Sequence, residues 1–127
     1  MPDWILTKPS PRSVTDTVQR LSELLAAKGL KLFAVIDHSG EAAAHGLELR
    51  DTKVVLFGNP VAGTPAMQSV PLVALDLPLK VLVWDEGGQT RVSYTAPAEL
   101  AARFGLSDDL AAPLAGIDGL TDALVEG

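Results

Sequence analysis

PLKVLVWDEGGQTRVSYT, residues 78–95, is the stretch on which the fold turns. Leu79, Val81, Leu82, Val83 and Trp84 run almost without a polar break, as in a strand central to a sheet. Gly87 and Gly88 accept the positive φ angles of a tight hairpin turn. Thr90 to Thr95 then alternates, with Val92 and Tyr94 on one face and Arg91, Ser93 and Thr95 on the other, which is expected to face water. A hairpin makes at least one strand pair antiparallel, which disfavours a doubly wound parallel sheet. The expected architecture is α+β: one two-layer sandwich, with helices packed on a mixed or antiparallel twisted sheet of about five strands.

Outward from the hairpin, Leu30 to Ile36 is a short apolar run expected to be a strand buried on both faces. Thr52 to Phe57 is a strand with β-branched Val54 and Val55 at its centre. Trp4 to Thr7 forms an opening strand, ended by Pro9-Ser10-Pro11. A helix follows, capped by Ser13 or Thr15, with Val14, Val18, Leu21, Leu24 and Leu25 at helical spacing and Gly29 as its stop. Asp37, His38 and Ser39 are alternative caps for a short helix from Glu41 to His45, closed by Gly46. Gly58 to Thr64 reads as a long loop, after which Thr64 caps a helix with Pro65 at its first position. Pro71 begins either a helical turn or extended chain. Pro97, Gly105, Ser107 with Asp108 and Asp109, and Ile117, Leu120 and Leu124 mark a helical C-terminus. No repeat, low-complexity tract or second domain divides residues 1–127.

At 127 residues the chain can bury about seventy per cent of its unfolded surface. Its 47% apolar content excludes intrinsic disorder. Sixteen acidic against ten basic residues give a net charge of −6, which disfavours nucleic acid and anionic membranes as partners. The absence of cysteine removes disulfides, thiolate nucleophiles and cysteine-ligated zinc. The uncharged segment Val54 to Leu75 approaches a membrane span in length, but Pro60, Pro65 and Pro71 interrupt it. With no secretory pattern in Met1 to Ser10, the cytoplasm is the expected compartment.

Asp37, His38, Glu41 and His45 form the sharpest chemical cluster, but their spacing matches no zinc motif, and no metal or other cofactor is expected. His38 follows an apolar strand end, and imidazole is the side-chain type suited to proton transfer near neutral pH, so it is a candidate general acid or base, with Asp37 or Asp76 orienting it. Asn59 to Thr64, entering a helix, offers amides and a hydroxyl as an anion cradle. Asn59 can equally brace its own loop. Asp76 and Lys80 flank an apolar segment. A structural ion pair with each other, or of Lys80 with Asp37 or Asp76 with Arg50, is the bland reading, and it is favoured for Asp76.

Three motifs, Ile36-Asp37-His38, Phe57-Gly58-Asn59-Pro60 with Gly63-Thr64 and Met67-Gln68, and Ala74-Leu75-Asp76-Leu77-Pro78-Leu79-Lys80 followed by Leu82-Val83-Trp84, occur in an order that resembles the bacterial family called domain of unknown function 302. The likeness runs from about Thr17 to Leu106 and includes Tyr94 and Pro97. It implies an α/β sandwich that pairs as a homodimer, and it supplies no catalytic residue. His38, Asn59, Gly63, Thr64, Met67, Asp76 and Lys80 match its motifs, whereas His45 lies outside them.

The combined expectation places Leu30 to Ile36, Val54 to Phe57 and Leu79 to Trp84 side by side, gathering His38, the Asn59 loop and Asp76 at one edge. A small molecule, anionic or amide-bearing, would then sit between the Gly63 and Thr64 amides and His38, with Met67 and Lys80 beside it. The alternatives are a cofactor-independent enzyme using His38, or motifs that only brace loops and a dimer interface.

Overall fold

Five strands in the order β1-β5-β4-β3-β2, every neighbouring pair antiparallel, form the sheet of this computed structural model, which describes residues 2–127. They are β1 (Ile5–Ser10), β2 (Lys31–Asp37), β3 (Thr52–Gly58), β4 (Leu79–Glu86) and β5 (Gln89–Thr95). The decisive hairpin joins β4 to β5 through Gly87 and Gly88, at φ +58° and +95°, with Glu86 facing Gln89. A two-residue turn with both φ angles positive matches the right-handed twist of its strands. β4 lies at the centre of the sheet and the three apolar strands are adjacent, as expected.

Helices cover one face. α1 (Val14–Ala27) is capped by Ser13, whose hydroxyl accepts from the Asp16 amide at 3.0 Å, and it buries Val14, Thr17, Leu21 and Leu25. It ends where Gly29 turns left-handed at φ +68°, so that Leu30 N–H reaches the Leu25 carbonyl at 2.9 Å and Gly29 N–H that of Ala26 at 3.1 Å. This stop fixes Lys28 and Leu30 beside the sheet end. α6 (Gly116–Leu124) buries Ile117, Leu120, Thr121 and Leu124. Arg12 and Arg20 donate to the Leu124 and Ala123 carbonyls at 3.0 and 3.1 Å, placing cations at the negative end of that helix. The core between helices and sheet unites these side chains with Val55, Phe57, Val81, Val83, Val92 and Tyr94.

Several elements differ from their sequence reading. The opening strand runs on through Pro9 to Ser10, which an edge strand tolerates. β2 is also an edge strand, and all seven of its residues are exposed, not buried on both faces. An unbroken apolar run identifies a strand without fixing its place in the sheet, and β4 holds the centre. On β5, Ser93 is buried: it accepts from Trp84 Nε1 at 2.9 Å and shares a hydrogen bond with Thr7 at 2.9 Å, so that face is only partly wet. α2 spans His38–Ala44 with Asp37 as its cap, and His45 closes it through its own backbone and an Nδ1 contact to the Glu41 carbonyl at 3.0 Å.

The largest revision concerns residues 58–76. α3 runs Pro60–Ser69, capped by Asn59 and not by Thr64, with Pro65 inside it. Asn59-Pro60 is itself a cap followed by a first-position proline, and it starts the helix a turn earlier than Thr64-Pro65 would. Pro71–Asp76 then forms a 3₁₀ helix, which settles the alternative left open at Pro71. α4 (Pro97–Phe104), α5 (Asp108–Ala111) and a 3₁₀ turn (Ala112–Ala115) lead to α6.

Candidate functional site

The antiparallel register decides which polar residues can meet. Asp37 at the end of β2 faces Lys53 at the start of β3, whereas Gly58 at the end of β3 faces Lys31. His38 therefore lies at one end of the sheet and Asn59 at the other, separated by the length of β3, about 20 Å at 3.4 Å per residue. The expected gathering of His38, the Asn59 segment and Asp76 does not occur. Two strands joined through α2 run in opposite directions, so the end of one lies beside the start of the next.

Each member of the expected catalytic set has a local role or lies exposed. One Asp37 carboxylate oxygen accepts from Gly40 N–H at 2.9 Å and from the Ser39 hydroxyl at 2.8 Å. The Gly40 amide, then Ser39, holds that carboxyl below the usual carboxylate range, as suits a helix cap and not a base. His38 is exposed on the first turn of α2. Asp76 accepts from Arg103 Nη1 at 2.7 Å, and Arg103 also reaches Glu99 at 3.3 Å and lies over the Trp4 ring at 5.8 Å. Asp76 is therefore in a structural ion pair, but its partner is Arg103 on α4 and not Lys80 or Arg50 as expected, because the fold packs α4 beside the segment before β4. Lys80 is exposed and borders the same small hollow as Asp76 and Arg103. Among the described residues no three His, Asp or Glu side chains come together in a way that could hold a metal ion.

The amide cradle is also spent. Asn59 Oδ1 accepts from Val61 N–H at 3.0 Å, while Ala62 and Gly63 N–H go to the Asn59 carbonyl at 3.0 and 2.8 Å. The Thr64 hydroxyl donates to the Pro60 carbonyl within the helix. Because the helix begins at Pro60, the amides expected to face a ligand are its internal hydrogen bonds.

What the segment does build is one wall of a cavity of about 580 Å³ at the Asn59 end of the sheet. α3 supplies Gly63, Thr64 and Met67 to it, and Asn59 stands beside them. Phe57 and Leu79 come from the sheet, Leu114, Ile117 and Leu120 from the C-terminal helices, and Leu77 from the segment before β4. Lys28 and Leu30, set by the end of α1, and Phe33 of β2 complete the side nearest the sheet edge. Among the described lining residues Lys28 carries the only charge, and Asn59 and Thr64 are the only other polar side chains. Four of the five expected ligand-binding residues, Asn59, Gly63, Thr64 and Met67, line this space, and Lys80 does not.

Gly63 matters to the volume. A Cβ there would sit 4.0 Å from Leu77 Cδ1 and Met67 Cε, both cavity-lining side chains, so any larger residue would project among them. Sequence reasoning missed Lys28, Leu30, Phe33, Leu77 and Leu114 as wall residues, and it read Ile117 and Leu120 only as core. The arrangement suits an apolar body inside and a polar or anionic group at the rim. Cavities of roughly 300–1,000 Å³ with apolar walls and few polar groups are where small molecules bind.

The model of the family described as domain of unknown function DUF302 matches residues 6–124. Among curated proteins the chain is 37% identical over 110 residues to "Fluoride-specific ion channel FluC 1" of Brucella suis biovar 1 (strain 1330), covering 84% of this chain and 43% of that protein. The protein of the same name in Brucella abortus biovar 1 (strain 9-941) is 37% identical over 84% of this chain and 41% of its own. The chain therefore spans less than half the length of these relatives. Among solved structures, the uncharacterized conserved protein DUF302 from Bacillus stearothermophilus superposes with a TM-score of 0.82 at 21% identity, over 98% of this chain and 97% of that one.

Proposed function

The chain belongs to the DUF302 family, and on that premise we propose that it is a small-molecule binding protein whose ligand lodges an apolar body in the cavity under α3 and holds an anionic or amide group at the rim beside Lys28 and Asn59. The observation that carries the reading is the cavity itself: about 580 Å³ of apolar-walled space with, among the described residues, a single charged one on its border. Water in such a space lacks hydrogen-bond partners, so an apolar group displaces it favourably, while the rim cation selects the sign of the polar end. Asn59 spends its carbonyl oxygen on capping α3, and its side-chain NH₂ remains a donor for the same polar group.

Nothing in this reading uses His38, Asp37 or Asp76. The fluoride-channel name of the Brucella relatives is likewise no part of it: the chain spans 43% of the first of them. Among the described residues no helix is long and apolar enough to cross a membrane.

Titration with 1-anilinonaphthalene-8-sulfonate, an aromatic body with one anionic group, tests the proposal. One dye per chain is expected, with its emission enhanced. Octanoate should displace it and acetate, which has the charge without the tail, should not. No binding to the folded chain, or equal displacement by acetate, would overturn the reading.

A further inference from the structure

Strand β2 is an edge without protection. Among the described residues β3 lies on one side of it and no strand on the other, and Leu32, Phe33, Val35 and Ile36 are 39%, 46%, 41% and 40% exposed. The opposite edge, β1, carries Lys8 and Pro9, residue types that discourage further pairing. β2 has no proline, and its charges stand only at its ends, Lys31 and Asp37. Unpaired backbone beside apolar side chains is a template for another strand.

We propose that β2 pairs antiparallel with β2 of a second copy of this chain, about a two-fold axis at Val35, joining the two sheets into one. Charge favours a second copy over a foreign strand. Any antiparallel self-pairing brings the Lys28 and Lys31 end of one protomer to the Asp37 and Glu41 end of its partner, and the two-fold axis repeats the attraction. Side-chain facing and the length of the regular stretch together set the register, since an axis at Ile36 would also match faces but would pair only Val35 to Asp37 within the strand. Val35 and Asp37 face the helix layer because they oppose Val55 and Lys53, and Phe33 reaches the same side, where it lines the cavity. Ala34 and Ile36, opposite Leu56 and Val54, face the other way. With the axis at Val35, Val35 meets itself, Ala34 meets Ile36 and Phe33 meets Asp37. Directly opposed residues then share a face throughout Phe33 to Asp37, as antiparallel strands require. Centring on Ala34 would set Leu32, which opposes Phe57, against Ile36 on the other face. The irregularity between Leu32 and Ala34 ends the pairing there.

Sedimentation velocity of the full chain, across a hundredfold range of concentration, is the test. The wild-type chain should be a dimer. Val35→Arg should weaken the dimer about thirtyfold or more while leaving far-ultraviolet circular dichroism unchanged, because the side chain is exposed in the protomer. Lys31→Glu and Asp37→Lys should each weaken self-association, and an equal mixture of the two should form a heterodimer. That recovery is something loss of the Asp37 cap cannot imitate. A wild-type chain that stays monomeric overturns the proposal. So does a dimer that Val35→Arg and Lys31→Glu leave intact while Leu82→Arg, on the sheet face away from the helices, dissociates it.

Discussion

Filling the cavity should make the protein more stable and stop it binding. Gly63→Leu is the perturbation, because its Cβ would enter between Leu77 and Met67 at 4.0 Å from each. Leucine in place of glycine in α3 contributes up to about 0.8 kcal/mol from helix propensity. Removing most of the new side chain from water contributes about 1–2 kcal/mol, offset by about 0.5–1 kcal/mol of lost rotamer freedom. The net expectation is about 1–2 kcal/mol of stabilisation, which raises Tm by about 3–8 °C for a chain of this size. Thermal unfolding with and without 1-anilinonaphthalene-8-sulfonate reads both consequences, and dye affinity should fall at least about tenfold, a loss of about 1.4 kcal/mol. Val61→Leu is the control, since Val61 is 84% exposed on the same helix and should alter neither quantity. A Gly63→Leu chain that is less stable than wild type, or that binds the dye unchanged, would show that position 63 does not open into a ligand-binding cavity.

Lys28→Met should weaken the anionic dye by about two- to fivefold, as an exposed charge does, while sparing binding of octanol. His38→Ala and Asp76→Asn should leave dye binding at the wild-type value in the same titration, because neither residue borders the cavity. Lys8 titrates with the fold: burial pulls its pKa down, but Asp122 at 2.8 Å and Tyr94 outweigh it and raise the value above 10.5. Its contribution is therefore complete below the unfolded value and is lost as pH rises through the folded one. Lys8→Met should cost about 1–2 kcal/mol at neutral pH through its lost contacts to Thr121 and the Asp118 carbonyl. Chemical denaturation at pH 7 and at pH 11 to 12 should show the difference from wild type shrinking on the alkaline side.

Much of the fold was legible because its signals are local. Gly87-Gly88 specifies a hairpin, Ser13 and Gly29 bound α1, and the spacing of Ile117, Leu120 and Leu124 marks the buried face of α6. Position within the sheet was not local: the apolar run of β2 reads like that of β4, and only the assembled strand order puts one at the edge and the other at the centre. The site was half legible for the same reason. Asn59, Gly63, Thr64 and Met67 share one short segment and stay together whatever the topology. His38 was grouped with them on the assumption that adjacent strands present the same end, which an antiparallel pair reverses. The walls were hidden because Leu114, Ile117 and Leu120 carry the pattern of ordinary core residues, and a cavity is a shortage of atoms that no residue type announces.

Whether ligand enters the space beneath α3 is read from backbone amide shifts in a ¹H–¹⁵N titration of the wild-type chain with 1-anilinonaphthalene-8-sulfonate. Saturable shifts concentrated at Lys28 to Phe33, Gly58 to Met67 and Leu114 to Leu120 are expected. Shifts centred instead on His38 to Ala44, or spread without saturation over the whole chain, would contradict binding beneath α3.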